Sequence, residues 1–182
     1  MMLPDVNVLV YAHREDSQHH AGCLAWLEAV ANGDGSYGLS ELVLSGFVRV
    51  VTHPRVFAEP SPLADALEFA EQLRGRPNCV PVAPGRRHWG IFCGLCDEAG
   101  AKGNIVPDAY LAAMAIESGC EWITTDRDFS RFRGLRWRHP HRDPTRGPTR
   151  VRVGAPRRRA RRRPGASRSP RGAGAPDDAR AS

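Results

Sequence analysis

Short apolar segments alternate with segments of helical hydrophobic spacing along residues 1–140, and this alternation constrains the fold more than any other feature. A short apolar run followed by an amphipathic helical pattern is typical of a strand and of the helix that connects it to the next parallel strand. Repetition of this unit favours a parallel sheet wrapped by helices. The sequence therefore predicts one α/β domain over residues 1–140.

The individual elements follow from apolar spacing and from residues that start or stop helices. Helices are expected to open near Asn7, to cover about 19–31 and 41–54, to run from Pro62 to about Leu73, and to cover 86–101 and 106–119. Strands are expected at about 2–5 and within the segments SYGLS, NCVPV, CEWITTD and LRWRHP, the last at a sheet edge. The segment DFSRF is expected to form one helical turn.

Charge divides the chain into two unlike parts. Residues 1–140 carry 13 Lys and Arg against 17 Asp and Glu, a balance of −4, whereas residues 141–182 carry 13 Arg against 3 Asp, a balance of +10. The second part is rich in Pro, Gly and Arg, cannot bury enough apolar surface to offset the entropy of ordering, and is expected to be a disordered tail. Its run Arg157–Arg163 offers charge for RNA or another anion, although a solvated tail is the favoured interpretation.

The remaining bulk features indicate a cytoplasmic protein. No apolar run reaches the roughly 20 residues that a membrane helix needs, and the N-terminus lacks the pattern of a signal peptide. Five cysteines at irregular positions do not resemble the even-numbered framework of a disulfide-rich secreted chain. We therefore expect a reducing compartment and no association with membrane.

Four carboxylates lie where a buried element begins or ends. Asp5 follows the first apolar run, and Asp126 follows the run WITT. Glu41 and Asp108 each open a helix, three, four and seven residues before positions assigned to its buried stripe, so both are expected to face inward. Favourable interaction with the helix dipole explains an acid in a first turn, but not its inward direction. Because functional groups gather at the carboxyl ends of parallel strands, we expect all four at one edge of the sheet.

A cluster of this kind predicts a site for a hard cation. Neighbouring carboxylates raise one another's pKa values or recruit a positive ion. Oxygen ligands without His or Cys favour Mg²⁺ or Mn²⁺, and Mg²⁺ takes only one or two carboxylates directly while retaining several waters. Such an ion can neutralise a phosphodiester, lower the pKa of a water and stabilise the leaving oxygen, which indicates hydrolysis of a nucleic acid.

With these residues in order, the sequence closely resembles the PIN-domain ribonucleases, and among them the VapC toxins of prokaryotic toxin–antitoxin pairs. The resemblance covers about residues 1–140 and is carried by four segments. These are LPDVNVLVYA, SELVLSGFVRVVTHPRVF, GNIVPDAYLAAMAIESG and EWITTDRDFSRFRGLRWRHP. The basic tail has no counterpart in the family pattern.

The resemblance implies a five-stranded parallel sheet with helices on both faces and an endoribonuclease activity dependent on Mg²⁺ or Mn²⁺. It implies structured RNA targets such as tRNA or rRNA, a VapB-like antitoxin partner and a homodimer. Asp5, Asp108 and Asp126 would bind the metal, and Glu41 would act with them as a catalytic residue, through water. Three further residues would orient these carboxylates or the phosphate: Asn7, Thr124 or Thr125, and, with less support, Asp128.

Three other functions are weighed against the same set of acids. Phosphatases and receiver domains also place Asp at the ends of parallel strands, but both need a lysine in the site, and Lys102 is the one lysine of the chain. A PIN nuclease of RNA processing, outside any toxin–antitoxin pair, would carry the same acids. A non-catalytic protein that binds RNA through its basic tail is a third possibility, which the complete acidic set disfavours because unpaired neighbouring carboxylates cost stability.

Overall fold

The computed structural model describes residues 1–141. Within that range the strands are β1 (Met2–Pro4), β2 (Tyr37–Leu39), β3 (Cys79–Pro81), β4 (Glu121–Ile123) and β5 (Trp137–Arg138). The helices are α1 (Val6–His13), α2 (His20–Ala31), α3 (Glu41–Val51), α4 (Leu63–Arg74), α5 (His88–Ala99) and α6 (Ile105–Glu117), with a 3₁₀ turn at Arg127–Arg131. The predicted disorder of the basic tail falls on residues outside the described part of the chain, apart from His141.

All five strands are parallel and form one sheet in the order β3-β2-β1-β4-β5. Met2 pairs with Tyr37 on one side and with Glu121 on the other, so the carboxyl ends of the three central strands lie level. Strand order reverses at β1, since β2 lies on one side of it and β4 on the other. This reversal creates the crevice in which open α/β sheets bind their ligands.

The predicted α/β class and each predicted element are confirmed, with small shifts at the ends. The last long helix begins at Ile105, so Pro107 lies within its first turn, where a missing N–H costs no hydrogen bond. Helix α5 begins at His88 and ends at Ala99, and the residue that caps it, Gly100, adopts a left-handed conformation with φ of 57°. Residues without a Cβ take that conformation most readily.

The core fixes the strands from which the site projects. Leu3 on β1 and Trp122 and Ile123 on β4 are fully buried, together with Phe47 on α3 and Ala112 on α6. Complete burial of one such large apolar side chain contributes about 1.5–3 kcal/mol. The residues that follow β1 and β4 are therefore attached to strands whose side chains are buried in the core.

Helix α3 packs closely on α1 at Gly46. A Cβ built on Gly46 would lie 2.9 Å from Cγ2 of Val6, a separation that side chains essentially never show. The absence of a side chain at this position thus allows the start of α1 and the body of α3 to approach each other, next to the edge where Asp5 and Glu41 lie. No helix among the described residues is long and apolar enough to cross a membrane.

Candidate active site

Asp5 is a buried carboxylate whose two oxygens are both hydrogen-bonded. It directly follows β1 and caps α1, where Oδ1 accepts from the backbone N–H of Val6 at 2.6 Å. Its Oδ2 accepts from Nδ2 of Asn7 and from the hydroxyl of Thr124, each at 2.6 Å. Only 5% of the residue is exposed. The side chain is therefore held in one orientation at the carboxyl end of the central strand.

Thr124 joins the two central strands at this point. Its fully buried hydroxyl donates to Asp5 and accepts from Nδ2 of Asn7 at 2.9 Å and from the backbone N–H of Asp126 at 3.0 Å. Thr125 contributes through its backbone, which donates to Oδ1 of Asn7 at 3.2 Å. The sequence left the choice between these two threonines open, and the structure gives the hydroxyl contact to Thr124.

Asp126 follows β4 and caps the 3₁₀ turn. Its Oδ1 accepts from the backbone N–H of Asp128 at 2.8 Å. The turn begins at Arg127, one residue earlier than the segment DFSRF expected from the sequence. Asp128 is exposed and pairs with Arg131, whose Nη2 lies 3.0 Å from its Oδ1 and whose Nε donates to its backbone carbonyl at 2.9 Å.

Asp108 completes a group of three carboxylates that influence one another. Burial raises the pKa of Asp5, the hydrogen bonds from Thr124 and Val6 oppose that rise, and the charges of Asp108 and Asp126 add to it, so that the pKa moves from 3.8 to about 7. Burial and the charge of Asp126 also raise the pKa of half-buried Asp108, and the Arg131 guanidinium opposes that rise. The three acids after β1, at α6 and after β4 thus share one electrostatic environment.

Glu41 lies at the same edge of the sheet but in a different setting. Its side chain is 86% exposed, and Oε1 is 3.3 Å from Nη2 of Arg74, whose Nη1 is 2.9 Å from Oε1 of Glu71. The prediction that Glu41 faces inward was wrong. The buried residues of α3 are Val43, Leu44, Phe47 and Val51. Of the three positions assigned to the stripe from the sequence, Leu44 is buried, whereas Ser45 is exposed and Val48 is only partly buried.

The donor set suits a hydrated hard cation. Asp5, Asp108 and Asp126 offer oxygen ligands only, and their mutual repulsion is the condition that a divalent ion relieves. Over residues 1–141, no three His, Cys, Asp or Glu side chains converge closely enough to enclose an ion by themselves. Mg²⁺ needs one or two direct carboxylates and retains water for the others, so the residues fit this ion.

Three residues at this edge have contacts that were not predicted from the sequence: Arg74, Arg131 and Thr124. Arg74 is 33 residues from Glu41, and nothing local to either position indicates their contact. Arg131 is three residues from Asp128, a spacing at which helical side chains meet, and this signal was available. The bridging role of Thr124 depends on the pairing of β1 with β4, which is a tertiary feature.

Comparison with known proteins agrees with this architecture. The PIN domain family matches residues 2–135. Ribonuclease VapC43 of Mycobacterium tuberculosis is 49% identical over 140 residues, which are 77% of this chain and 95% of that protein. Ribonuclease VapC25 of the same species is 41% identical over 140 residues, 77% of this chain and 99% of that protein. The chain therefore belongs to the PIN-domain family, as a VapC ribonuclease.

Solved structures with the same fold are more distant in sequence. VapBC2 from Rickettsia felis, bound to a promoter DNA fragment, gives a TM-score of 0.54 at 17% identity and covers 76% of this chain and 97% of that chain. FitAB bound to a DNA fragment gives 0.54 at 19% identity, with 77% and 95% covered. These similarities support the fold.

Proposed function

We propose that this protein is a metal-dependent endoribonuclease that hydrolyses phosphodiester bonds of RNA at the edge occupied by Asp5. The observation that carries the proposal is the burial of Asp5 beside Asp108 and Asp126, which brings its pKa to about 7. A buried carboxylate under such repulsion costs stability unless a positive ion compensates it. Such perturbed groups in a crevice are typical of active sites.

In this proposal Asp5, Asp108 and Asp126 hold Mg²⁺, with Mn²⁺ as the alternative ion. Glu41 acts through a water, in keeping with its exposed side chain. When bound, the ion supplies a water of lowered pKa and neutralises charge on the phosphate and the leaving oxygen. Three carboxylates with one buried member leave open faces toward solvent, through which a long polyanion can approach.

The remaining residues orient the acids. Asn7 and Thr124 hold Oδ2 of Asp5, and the backbone of Thr125 fixes Asn7 in turn. Contacts of this kind orient metal ligands, and their loss commonly costs 10- to 100-fold in affinity or activity. Asp128 holds the Arg131 guanidinium beside the site, where its charge partly balances Asp108.

We further propose that the protein is the toxin of a toxin–antitoxin pair in the cytoplasm, silenced by a VapB-like antitoxin. The VapC names of its relatives and the VapBC complexes among its structural neighbours support this assignment. Helices α3 and α4 also expose Leu42, Leu63 and Leu67 by 46%, 58% and 48%, an apolar surface suited to an antitoxin or to a second copy in a homodimer. Structured RNAs such as tRNA or rRNA are the proposed targets.

Cleavage of RNA by the purified chain tests the catalytic proposal. We expect cleavage with Mg²⁺ or Mn²⁺, none with EDTA, and a loss of at least about 100-fold in Asp5→Asn and in Asp108→Asn, the scale of removing one preorganised electrostatic contact. Asp97→Asn, an exposed acid on α5, is the matched control and should cleave as the wild type does. Circular dichroism should show that all three variants remain folded. Wild-type rates in Asp5→Asn would refute the proposal.

The partner is tested separately. The chain should co-purify with the product of an adjacent small gene when both are expressed, and that complex should not cleave the RNA that the free chain cleaves. Light scattering of the free chain measures whether it is a dimer. A free chain that is fully active with no such neighbour would place it among PIN nucleases of RNA processing.

A further inference from the structure

A half-open cavity of about 270 Å³ lies beside the proposed catalytic edge. Leu39 at the end of β2 and Pro81 at the end of β3 form part of its wall, together with Leu44 of α3. Glu71 and Arg74, at the end of α4, supply its charged groups together with Glu41, which opens α3 and is also part of the proposed catalytic edge. The cavity therefore combines apolar walls with a polar rim, as small-ligand sites do.

The topology places this cavity next to the acids. β2 is the neighbour of β1 and β3 is the next strand along, so their carboxyl ends continue the edge that carries Asp5. Neighbouring strands are about 4.8 Å apart, so the cavity begins roughly 5–10 Å from the end of β1. A nucleotide whose phosphate lies at the acids has its own base, or that of its neighbour, within this range.

The charged rim has a definite hydrogen-bonding pattern. Arg74 lies between two carboxylates, with Nη1 2.9 Å from Glu71 and Nη2 3.3 Å from Glu41. A carboxylate accepts only and a guanidinium donates only, so Glu71 and Arg74 present two acceptor oxygens beside a donor. Guanine carries the complementary edge, with two adjacent N–H donors at N1 and N2 and an acceptor at O6. Adenine and cytosine each offer one amino donor there, and uracil offers one N–H.

From this match we propose that the cavity bounded by Leu39, Leu44, Cys79, Pro81, Glu71 and Arg74 is a base-specific subsite that takes an unpaired guanine of the RNA substrate. Glu71 accepts from N1–H and from the N2 amino group, and Arg74 donates to O6. The apolar wall contacts the base itself, since sequence-specific recognition of RNA relies on unpaired bases read at their Watson–Crick edge. This inference rests on the proposed ribonuclease activity, because it specifies the substrate of the same edge.

The test compares guanine with inosine, which lacks only the N2 amino group. Short single-stranded RNAs are prepared with guanine or inosine at each position around the mapped cleavage site, and the full chain is assayed with Mg²⁺. We expect one position at which inosine lowers kcat/KM by about 10-fold, the scale of one lost base contact. Glu71→Gln should reduce this guanine-to-inosine ratio to about 1, because it replaces one acceptor oxygen with a donor.

Two further variants sharpen the assay. Glu68→Gln, an exposed position one turn earlier on α4 and outside the cavity lining, is the matched control and should keep the ratio of the wild type. Cys79→Phe reaches the cavity from β3 and should remove the preference by filling it. If Cys79→Phe does not fold, Glu71→Gln still decides the outcome.

A binding measurement separates this inference from the nuclease proposal. Fluorescence anisotropy of labelled RNA with Asp5→Asn, which is expected not to cleave, should show the same guanine preference and its loss in the Asp5→Asn, Glu71→Gln double variant. Cleavage without discrimination at any position, or discrimination unchanged in Glu71→Gln, would overturn the guanine subsite and leave the nuclease intact. Guanine-selective binding by a wild-type chain that cleaves no RNA would overturn the nuclease and leave the subsite.

Discussion

Asp5 and Glu41 lie one strand apart at the same edge of the sheet, yet they occupy opposite electrostatic environments. Asp5 is 5% exposed, accepts three hydrogen bonds and has a pKa raised to about 7 by burial. The Glu41 side chain is 86% exposed and pairs with Arg74 at the surface. Position in the topology brings both acids to one edge, whereas the packing of the local structure around each acid decides whether it is buried.

The largest effect expected from this difference is a pH dependence of stability that comes from Asp5. Its pKa is about 7 in the folded chain against 3.8 in the unfolded one, so between these values the folded state holds a proton that the unfolded state has lost. The free energy of unfolding therefore falls as pH rises from about 4 to about 7, by up to about 4 kcal/mol at 1.36 kcal/mol per pKa unit.

Urea denaturation in EDTA at several pH values measures this change. Asp5→Asn removes the titration and should flatten the slope, and Mg²⁺ or Mn²⁺ added to the wild type above pH 7 should recover part of the lost stability. Thr125→Val, which removes no titratable group, is the control variant and should keep the slope of the wild type. Equal slopes in the wild type and Asp5→Asn would show that Asp5 is not the titrating group.

A smaller effect is expected when the bridge between β1 and β4 is removed. Thr124→Val keeps the side-chain volume but deletes a hydroxyl that makes three hydrogen bonds. Groups of Asp5, Asn7 and Asp126 each lose one hydrogen-bond partner as a result. One unsatisfied buried group costs about 1–3 kcal/mol, so we expect the free energy of unfolding to fall by about 3 kcal/mol.

Thr125→Val is the matched control for that prediction. Within residues 1–141 its side-chain hydroxyl makes no hydrogen bond, and its backbone contact to Asn7 survives the substitution. Denaturation of the two valine variants side by side at pH 5 tests the assignment. Similar losses in both would mean that Thr124 does not hold the strands together.

The smallest effect belongs to the exposed side. Arg74→Gln deletes the two ion pairs with Glu41 and Glu71, whose carboxylate side chains are 86% and 68% exposed. Exposed ion pairs contribute little and are screened by salt, so the midpoint of urea denaturation should shift only slightly at low salt and less still at high salt. If Arg74→Gln loses as much stability as Thr124→Val does, the exposed ion pairs stabilise the fold as strongly as the buried hydrogen bonds, which would contradict the contrast between the two acids.

Much of the fold was predictable because it depends on local patterns. The apolar run before Asp5, the spacing along α6 and the turn residues around Gly119 fixed the type and approximate position of their elements without knowledge of any contact. The inward direction of Glu41 was mispredicted for a physical reason. Apolar residues occur on more than one side of α3, so their spacing alone does not identify the buried side, which carries Val43, Leu44, Phe47 and Val51.

The α/β class, the acids that end or begin elements, and the division of charge between residues 1–140 and the basic tail could all be read from the sequence. These follow from hydrophobic period and residue chemistry, which are properties of neighbours along the chain. Tertiary structure was needed for the hydrogen bond from Thr124 to Asp5 and for the pairing of Arg74 with Glu41 beside a cavity. These contacts join residues from different elements of the chain, and strand order and helix packing alone bring such residues together.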